Sequence, residues 1–304
     1  MIRGLVYMVT ASALFAAMGA SMYQVKLWDS SASPLTASFV RAVVNLLFVM
    51  AMASRNGFGR GVVELFGDMR ASLWARGFFG TLSLIGLVSA IHMIGLGEAS
   101  FLHAFNAVWV AALSPFVLAQ PNSKLGWLAI LLGLCGLYLI YQPELGEAEF
   151  WGRTVALASG AFAGTAYMMI SRAGRSNSSL TVVFYLCLVA TTTHLAWFYV
   201  DTFHWPSDLR SWVMLITAGL LGSVAQIFLT KAYQIGPAAL ISASSYTTPV
   251  FNLIVGIFIF ATVPNTRGLI GAGIVLIAGV ALPFLQGRKI KVLRNEVPLE
   301  MTDR

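Results

Sequence analysis

The chain has 304 residues, of which 58% are hydrophobic and only 10% charged, with a mean hydropathy of +0.79. A soluble domain clothes its surface with roughly 25% charged residues, so this composition excludes a water-facing globule and makes lipid the solvent. The net charge of +7 does not mark a nucleic-acid partner, because the basic residues fall between apolar stretches and in the C-terminal tail, where topology determinants sit.

Arg3 precedes an apolar run to Tyr23 with Gly19 and Ser21 near its end, which imitates a signal peptide. The apolar region of a signal peptide is about 7–15 residues long. This one is longer and many like it follow, so it reads as the first membrane helix. Stretches of roughly 20 apolar residues predict ten crossings: Gly4–Lys26, Leu35–Ser54, Leu73–Ile94, Glu98–Ala119, Leu125–Tyr141, Gly152–Ser171, Leu180–Val200, Leu209–Lys231, Ala238–Phe260 and Arg267–Leu285. The connections leave no room for a soluble domain. The longest, Arg55–Ser72, has mixed charge and is expected to hold a surface helix. The runs are too long and too apolar for barrel strands, and in hydrocarbon a helix alone satisfies its backbone within one segment.

With the N-terminus placed in the cytoplasm, Arg3, Arg55, Arg60, Arg70, Lys124, Arg172, Arg175, Lys231 and the tail cations lie inside, and only Lys26, Arg153, Arg210 and Arg267 lie outside. The bias predicts both termini in the cytoplasm of a bacterial-type inner membrane. Cys135 and Cys187 both lie in apolar segments, so neither a disulfide nor a metal site is expected. No cofactor is expected.

The two halves are alike. Gly97-Glu98-Ala99-Ser100 opens the fourth helix and Gly236-Pro237-Ala238-Ala239 the ninth; Leu125-Gly126-Trp127 and Leu269-Ile270-Gly271 open the fifth and tenth; Phe15-Ala16 and Phe162-Ala163 begin small-residue stretches in the first and sixth. Because each half has five crossings, the second enters from the opposite side. The expected fold is an all-α integral membrane protein of ten transmembrane helices in two inverted five-helix repeats, residues 1–145 and 146–287, with a basic cytoplasmic tail over 288–304. Inverted repeats are typical of secondary transporters, whose solute site lies near mid-membrane between the halves.

Arg41 within Ser38-Phe39-Val40-Arg41-Ala42, the run from Gly236-Pro237 to Tyr246-Thr247-Thr248-Pro249, Val263-Pro264 and Ile270-Gly271-Ala272-Gly273 resemble the drug/metabolite transporter superfamily in its EamA-type, ten-helix branch. The resemblance spans the whole chain and implies a transporter fold and transport, not a substrate. Family repeats often carry Gly-Glu after the fourth and ninth helices. Here Ala119-Gln120 and Ala261-Thr262 stand there, so no proton or cation chemistry is carried over.

Ionisable and polar groups at membrane depth are few, and such groups usually face a cavity or a partner. His103, Asn106 and Trp109, spaced i, i+3 and i+6 on the fourth helix, are expected to share a face as a pocket wall; the competing role is polar glue between helices. Ser245 and Tyr246 lead the candidates on the ninth helix, where Pro249 frees a carbonyl and kinks the chain. His92 and Gln226 flank the same space, and Tyr23 and Tyr167 occupy corresponding helices of the two halves, facing either the cavity or the lipid interface. Arg41 has three open roles: attracting an anionic solute, pairing with Asp29, or snorkelling. Glu98 lies at the outer mouth, His194 reads as packing, and Arg76 and Lys231 read as topology anchors near inner ends. No Asp or Glu falls at mid-depth, which points to uncoupled or exchange transport, with His103 as the remaining titratable group. No phosphate-binding loop, zinc-protease motif or nucleophile turn is present.

The expected activity is secondary transport of a small polar, amino-acid-like, neutral or zwitterionic solute by a bilayer-embedded monomer, with a dimer as the alternative assembly. A membrane enzyme acting on a lipid or isoprenoid substrate is the competing class, though the clustered acids or histidines it would need are scattered here.

Overall fold

The computed structural model describes residues 2–29, 34–55, 58–94, 96–120, 122–141, 150–197, 204–261 and 265–281. The described residues are helical with short connections: α1 (Ile2–Trp28), α2 (Pro34–Ser54), α3 (Phe58–Glu64), α4 (Ala71–Ile94), α5 (Leu96–His103), α6 (Asn106–Leu118), α7 (Lys124–Tyr141), α8 (Phe150–Ala173), α9 (Ser179–Trp197), α10 (Leu209–Ile235), α11 (Ala238–Ser244), α12 (Thr247–Phe260) and α13 (Thr266–Leu276). The last widens into a π-turn over Ile277–Ala281. Among them nine segments are long and apolar enough to cross a bilayer, and Thr266–Val280 makes a shorter tenth. The expected surface helix after the second crossing is α3.

The fourth and ninth crossings are each broken in two, α5/α6 at Ala104–Phe105 and α11/α12 at Ser245–Tyr246. The Pro249 ring explains the second break, since it removes the bond to the Ser245 carbonyl. The fourth crossing has no proline at its break and was expected to be continuous. Both crossings also end alike: Ala119 and Ala261 adopt left-handed φ values of 54° and 51°, and their N–H groups turn back to the Ser114 and Gly256 carbonyls. Alanine accepts this at about 1–2 kcal/mol, in the place where family repeats often carry glycine.

The packing follows the inverted repeat. α1 packs on α10, and its counterpart α8 packs on α4. The pair α2 and α10 answers to α9 and α4, and α6 with α8 answers to α12 with α1. The α2–α9 and α7–α13 pairs map onto themselves. Exchanging the halves therefore reproduces these pairs, while α8 with α10 and α9 with α10 have no counterpart of like extent.

Small residues set the closest approaches, as they do where lipid tails give helices no hydrophobic reason to associate. In the α7–α13 pair a Cβ on Gly136 would lie 2.8 Å from the Gly271 carbonyl, and one on Gly271 would lie 2.5 Å from the Gly136 carbonyl. Gly160 and Gly164 of α8 receive the carbonyls of His103 and Asn106 in the same way, at 2.8 and 3.0 Å from the would-be Cβ. Leucine at Gly136 or Gly271 is expected to force α7 and α13 apart and to lower stability by about 1–3 kcal/mol, read as an earlier thermal unfolding midpoint of the purified protein, whereas leucine at Gly19, which has open space around it, should leave the midpoint unchanged.

Candidate solute-binding chamber

The two breaks face each other at the centre of the bundle. A broken helix in hydrocarbon must find new partners for its freed backbone groups, and here side chains supply them. Asn106 Nδ2 donates to the His103 carbonyl at 3.0 Å. The Tyr246 hydroxyl reaches from the ninth crossing to the Ala104 carbonyl at 3.0 Å. Ser245 Oγ donates to the Ser242 carbonyl at 2.7 Å, and Ser242 Oγ lies 3.5 Å from Asn106 Oδ1. His103 Nδ1 is 2.9 Å from Ser159 Oγ on α8. The ninth crossing thus holds the break in the fourth through Tyr246, each crossing also bonds its own break, and His103, Asn106, Ser245 and Tyr246 line a cavity.

The cavity has a volume of roughly 400 Å³, enough for a small metabolite. Of the residues expected there, His103, Asn106, Ser245, Tyr246, Gln226, Tyr167 and Arg41 line it. Tyr167 stacks on Tyr233 at 5.1 Å between ring centroids. Two of the candidate residues lie elsewhere, Tyr23 in the peripheral one of its two expected places. Trp109 is 43% exposed on the outside of the bundle: six residues at 100° each leave it about 120° from His103, and the break at Ala104–Phe105 adds to the offset. Tyr23 is 48% exposed and meets Phe260 edge-to-face at 5.0 Å, near the ends of their helices. The His92 and Glu98 side chains lie outside the described residues. His194 is buried, with Nδ1 2.7 Å from the Ala190 carbonyl of its own helix, as packing requires.

Sequence reasoning missed Arg76. Its place near a helix end suggested an anchor, yet the side chain is 3% exposed, lines the cavity and donates from Nη2 to Gln226 Oε1 at 3.1 Å. Gly80, one turn along α4, makes the room, since a Cβ there would collide with Arg76 Nη1. Asn45, Ser100 and Tyr141 also line the wall. Asn45, turned so that its amide nitrogen donates, bonds to Ser223 Oγ at 2.8 Å. The arginine followed by glycine four residues on was the signal available for Arg76.

One end of the chamber is closed. Gln120 Oε1 accepts from the Ala238 N–H at 3.0 Å, and Arg175 Nη2 donates to the Leu118 carbonyl at 3.0 Å. Ser179 donates to Gln234 Oε1 at 2.7 Å, and Gln234 Nε2 donates to the Asn177 carbonyl at 3.1 Å. Asn177 in turn accepts from the Asp68 N–H, and Ser176 donates to the Asp68 carboxylate at 2.7 Å. That bond, first among several, holds the Asp68 carboxyl below the usual carboxylate range. Beneath this clasp lies the largest apolar cluster, which includes Leu5, Leu65, Leu118, Phe184, Tyr185 and Ile241. Toward the other end the wall continues through Leu87 and Ser100 to Tyr141, the last residue of α7. Asp29 accepts two bonds from Ser207 at that end, tying the α1–α2 and α9–α10 connections together at its edge.

The profile of the EamA-like transporter family matches residues 2–142 and again residues 150–283, once on each half. The pseudopaline exporter CntI of Pseudomonas aeruginosa is 26% identical over 279 residues, 92% of this chain and 95% of that one. Solute carrier family 35 member G1 of Mus musculus is 26% identical over 94% of this chain and 80% of its own. The riboflavin transporter of Vibrio cholerae is 27% identical over 56% of each chain. A solved crystal structure covers 94% of this chain and 98% of its own with a TM-score of 0.80 at 16% identity, a likeness of fold. With both halves matched and the ten-helix architecture in place, the chain belongs to the EamA-like transporter family.

Proposed function

We propose that this protein is a secondary transporter that carries a small polar organic solute, amino-acid-like in size, across a cytoplasmic membrane by alternating access. The observation that carries the reading is the chamber between two broken crossings, shut at one end by a hydrogen-bonded clasp over an apolar plug. Relatives named as an exporter and as transporters support it. Among the described residues no cluster of His, Cys, Asp or Glu could hold a metal, and none of those lining the cavity is a carboxylate.

Under the positive-inside rule the clasp end, with Arg70, Lys124, Arg172 and Arg175, faces the cytoplasm, so the chamber is captured open to the outside. The antiparallel halves supply the inward-open partner state, in which the α5/α6 and α11/α12 pairs exchange roles. Side chains of one chain line the chamber, which supports the monomer as the transporting unit.

The sidedness can be read with a thiol. In a background in which Cys135 and Cys187 are replaced by serine, Ser245→Cys is expected to react with a membrane-impermeant thiosulfonate added from the outside and not from the cytoplasmic side. Gln120→Ala, which removes the acceptor for the Ala238 N–H, should add labelling from the cytoplasmic side. Equal labelling from both sides without that change would describe a pore, and no labelling from either side a sealed core; both contradict the proposal.

A further inference from the structure

Arg41 and Arg76 bring two guanidinium groups to the wall of one membrane-buried chamber, and among the described residues no acid answers them. Arg76 spends one of its donors on the neutral Gln226 amide, and its Nε is buried without a hydrogen-bond partner. Arg41 Nη1 meets only the Met18 thioether, at 3.8 Å, and its Nε is likewise buried and unpartnered. The ion pair of Asp68 with Arg70 lies at the clasp, away from the two arginines of the wall. Of the twelve acids in the chain, eleven fall in connections or in the tail, and Glu98 stands in the first turn of α5.

A guanidinium at membrane depth is costly to hold without a partner, and a second of like sign raises that cost. Snorkelling does not explain Arg76, whose side chain stays inside the bundle with 3% exposure. Gly80 leaves the space Arg76 occupies, and Gly222 of α10 lies beside Arg41, a Cβ there falling at an ordinary contact distance of 3.8 Å from Arg41 Cδ. Gly222 and Gln226 are one turn apart, so α10 approaches both arginines. A planar guanidinium fork with free N–H groups matches the oxygens of a carboxylate or a phosphate.

We propose that Arg41 and Arg76 form an anion seat, and that the transported solute is a small organic oxyanion whose carboxylate or phosphate group docks there while its body reaches His103, Asn106, Ser245 and Tyr246. The inference rests on the transport reading and narrows it: a wall with two unanswered cations selects a negatively charged solute rather than the neutral or zwitterionic one expected from the His, Asn, Ser and Tyr side chains alone.

The test is a thermal-shift titration of the purified protein with succinate, glutamate, citrate, glycerol phosphate and inorganic phosphate, each matched in ionic strength with sodium chloride, and with choline as a cationic comparator. At least one organic anion is expected to raise the unfolding midpoint saturably, and choline is not. In Arg41→Gln and in Arg76→Gln the half-saturating concentration should rise roughly ten- to hundredfold, with Arg→Lys at either position intermediate because charge is kept and the fork lost. Carboxylates and phosphates in separate arms show which oxyanion the seat takes. A purely structural arginine would lower the midpoint without ligand and leave the titration curve in place. Should a glutamine variant not fold, the lysine variant at that position carries the same comparison. The seat is overturned if no anion shifts the wild type beyond the salt control, if choline alone does, if inorganic phosphate alone does, or if the half-saturating concentration is the same in the Arg41 and Arg76 variants as in the wild type. The Ser245→Cys accessibility pattern does not depend on solute charge, so one-sided labelling together with absent anion binding would remove the seat and leave the transport reading standing.

Discussion

Hydrocarbon offers a backbone no hydrogen bonds, and every interruption of a membrane helix has to be answered by the protein itself. This chain interrupts two crossings, and the answers come from side chains of the same crossing and, at the first break, from the opposite half. The Tyr246 hydroxyl reaches the Ala104 carbonyl at the other break, Asn106 caps the His103 carbonyl, and Ser242 extends toward Asn106. The polar groups that make a chamber attractive to a solute are thus the same groups that make the broken helices tolerable. A core free of polar groups would have been cheaper to bury, and it would have had nothing to offer a hydrophilic ligand.

Small residues do the complementary work. Gly160 and Gly164 let α8 receive the carbonyls on either side of the first break. Gly136 and Gly271 bring α7 and α13 into backbone contact across the pseudo-two-fold. The clasp is held differently, by single side-chain bonds such as Gln120 to Ala238 between short connections. Bonds of that kind contribute about 0.5–1.5 kcal/mol each, a scale on which a solute can shift the balance between two states.

Much of this was legible in the sequence, because the signals that carried it are long. Nine crossings matched within a few residues at the ends the structure describes, and the tenth began at Thr266, one residue before the expected Arg267. The opening of the ninth crossing at Ala238 was marked by Gly236-Pro237, and its break by Pro249. The break at Ala104–Phe105 was not legible, since no proline or glycine marks it; a side chain on another segment, Tyr246, supports it, and only the fold brings the two together. Trp109 failed for a related reason: a helical face projected through a break loses its register. Arg76 was misread because position along a helix does not give direction, and Gly80 opens room for its guanidinium within the bundle. Tyr23 and Tyr167 occupy similar places in the two halves, yet one meets Phe260 at the periphery and the other stacks on Tyr233 beside the cavity. The repeat is therefore a symmetry of the backbone more than of the site.

The central claim is that the two breaks sit at a water-reached chamber in the middle of the bilayer. Hydrogen–deuterium exchange of the protein in lipid nanodiscs tests it most directly. Amides over residues 104–108 and 245–248 should exchange markedly faster than those at the same depth in the unbroken α1 and α10, and exchange at 104–108 should rise further in Tyr246→Phe. Uniform protection across all four segments, unchanged by the loss of that hydroxyl, would mean that the crossings are continuous and the chamber dry, and would contradict the account.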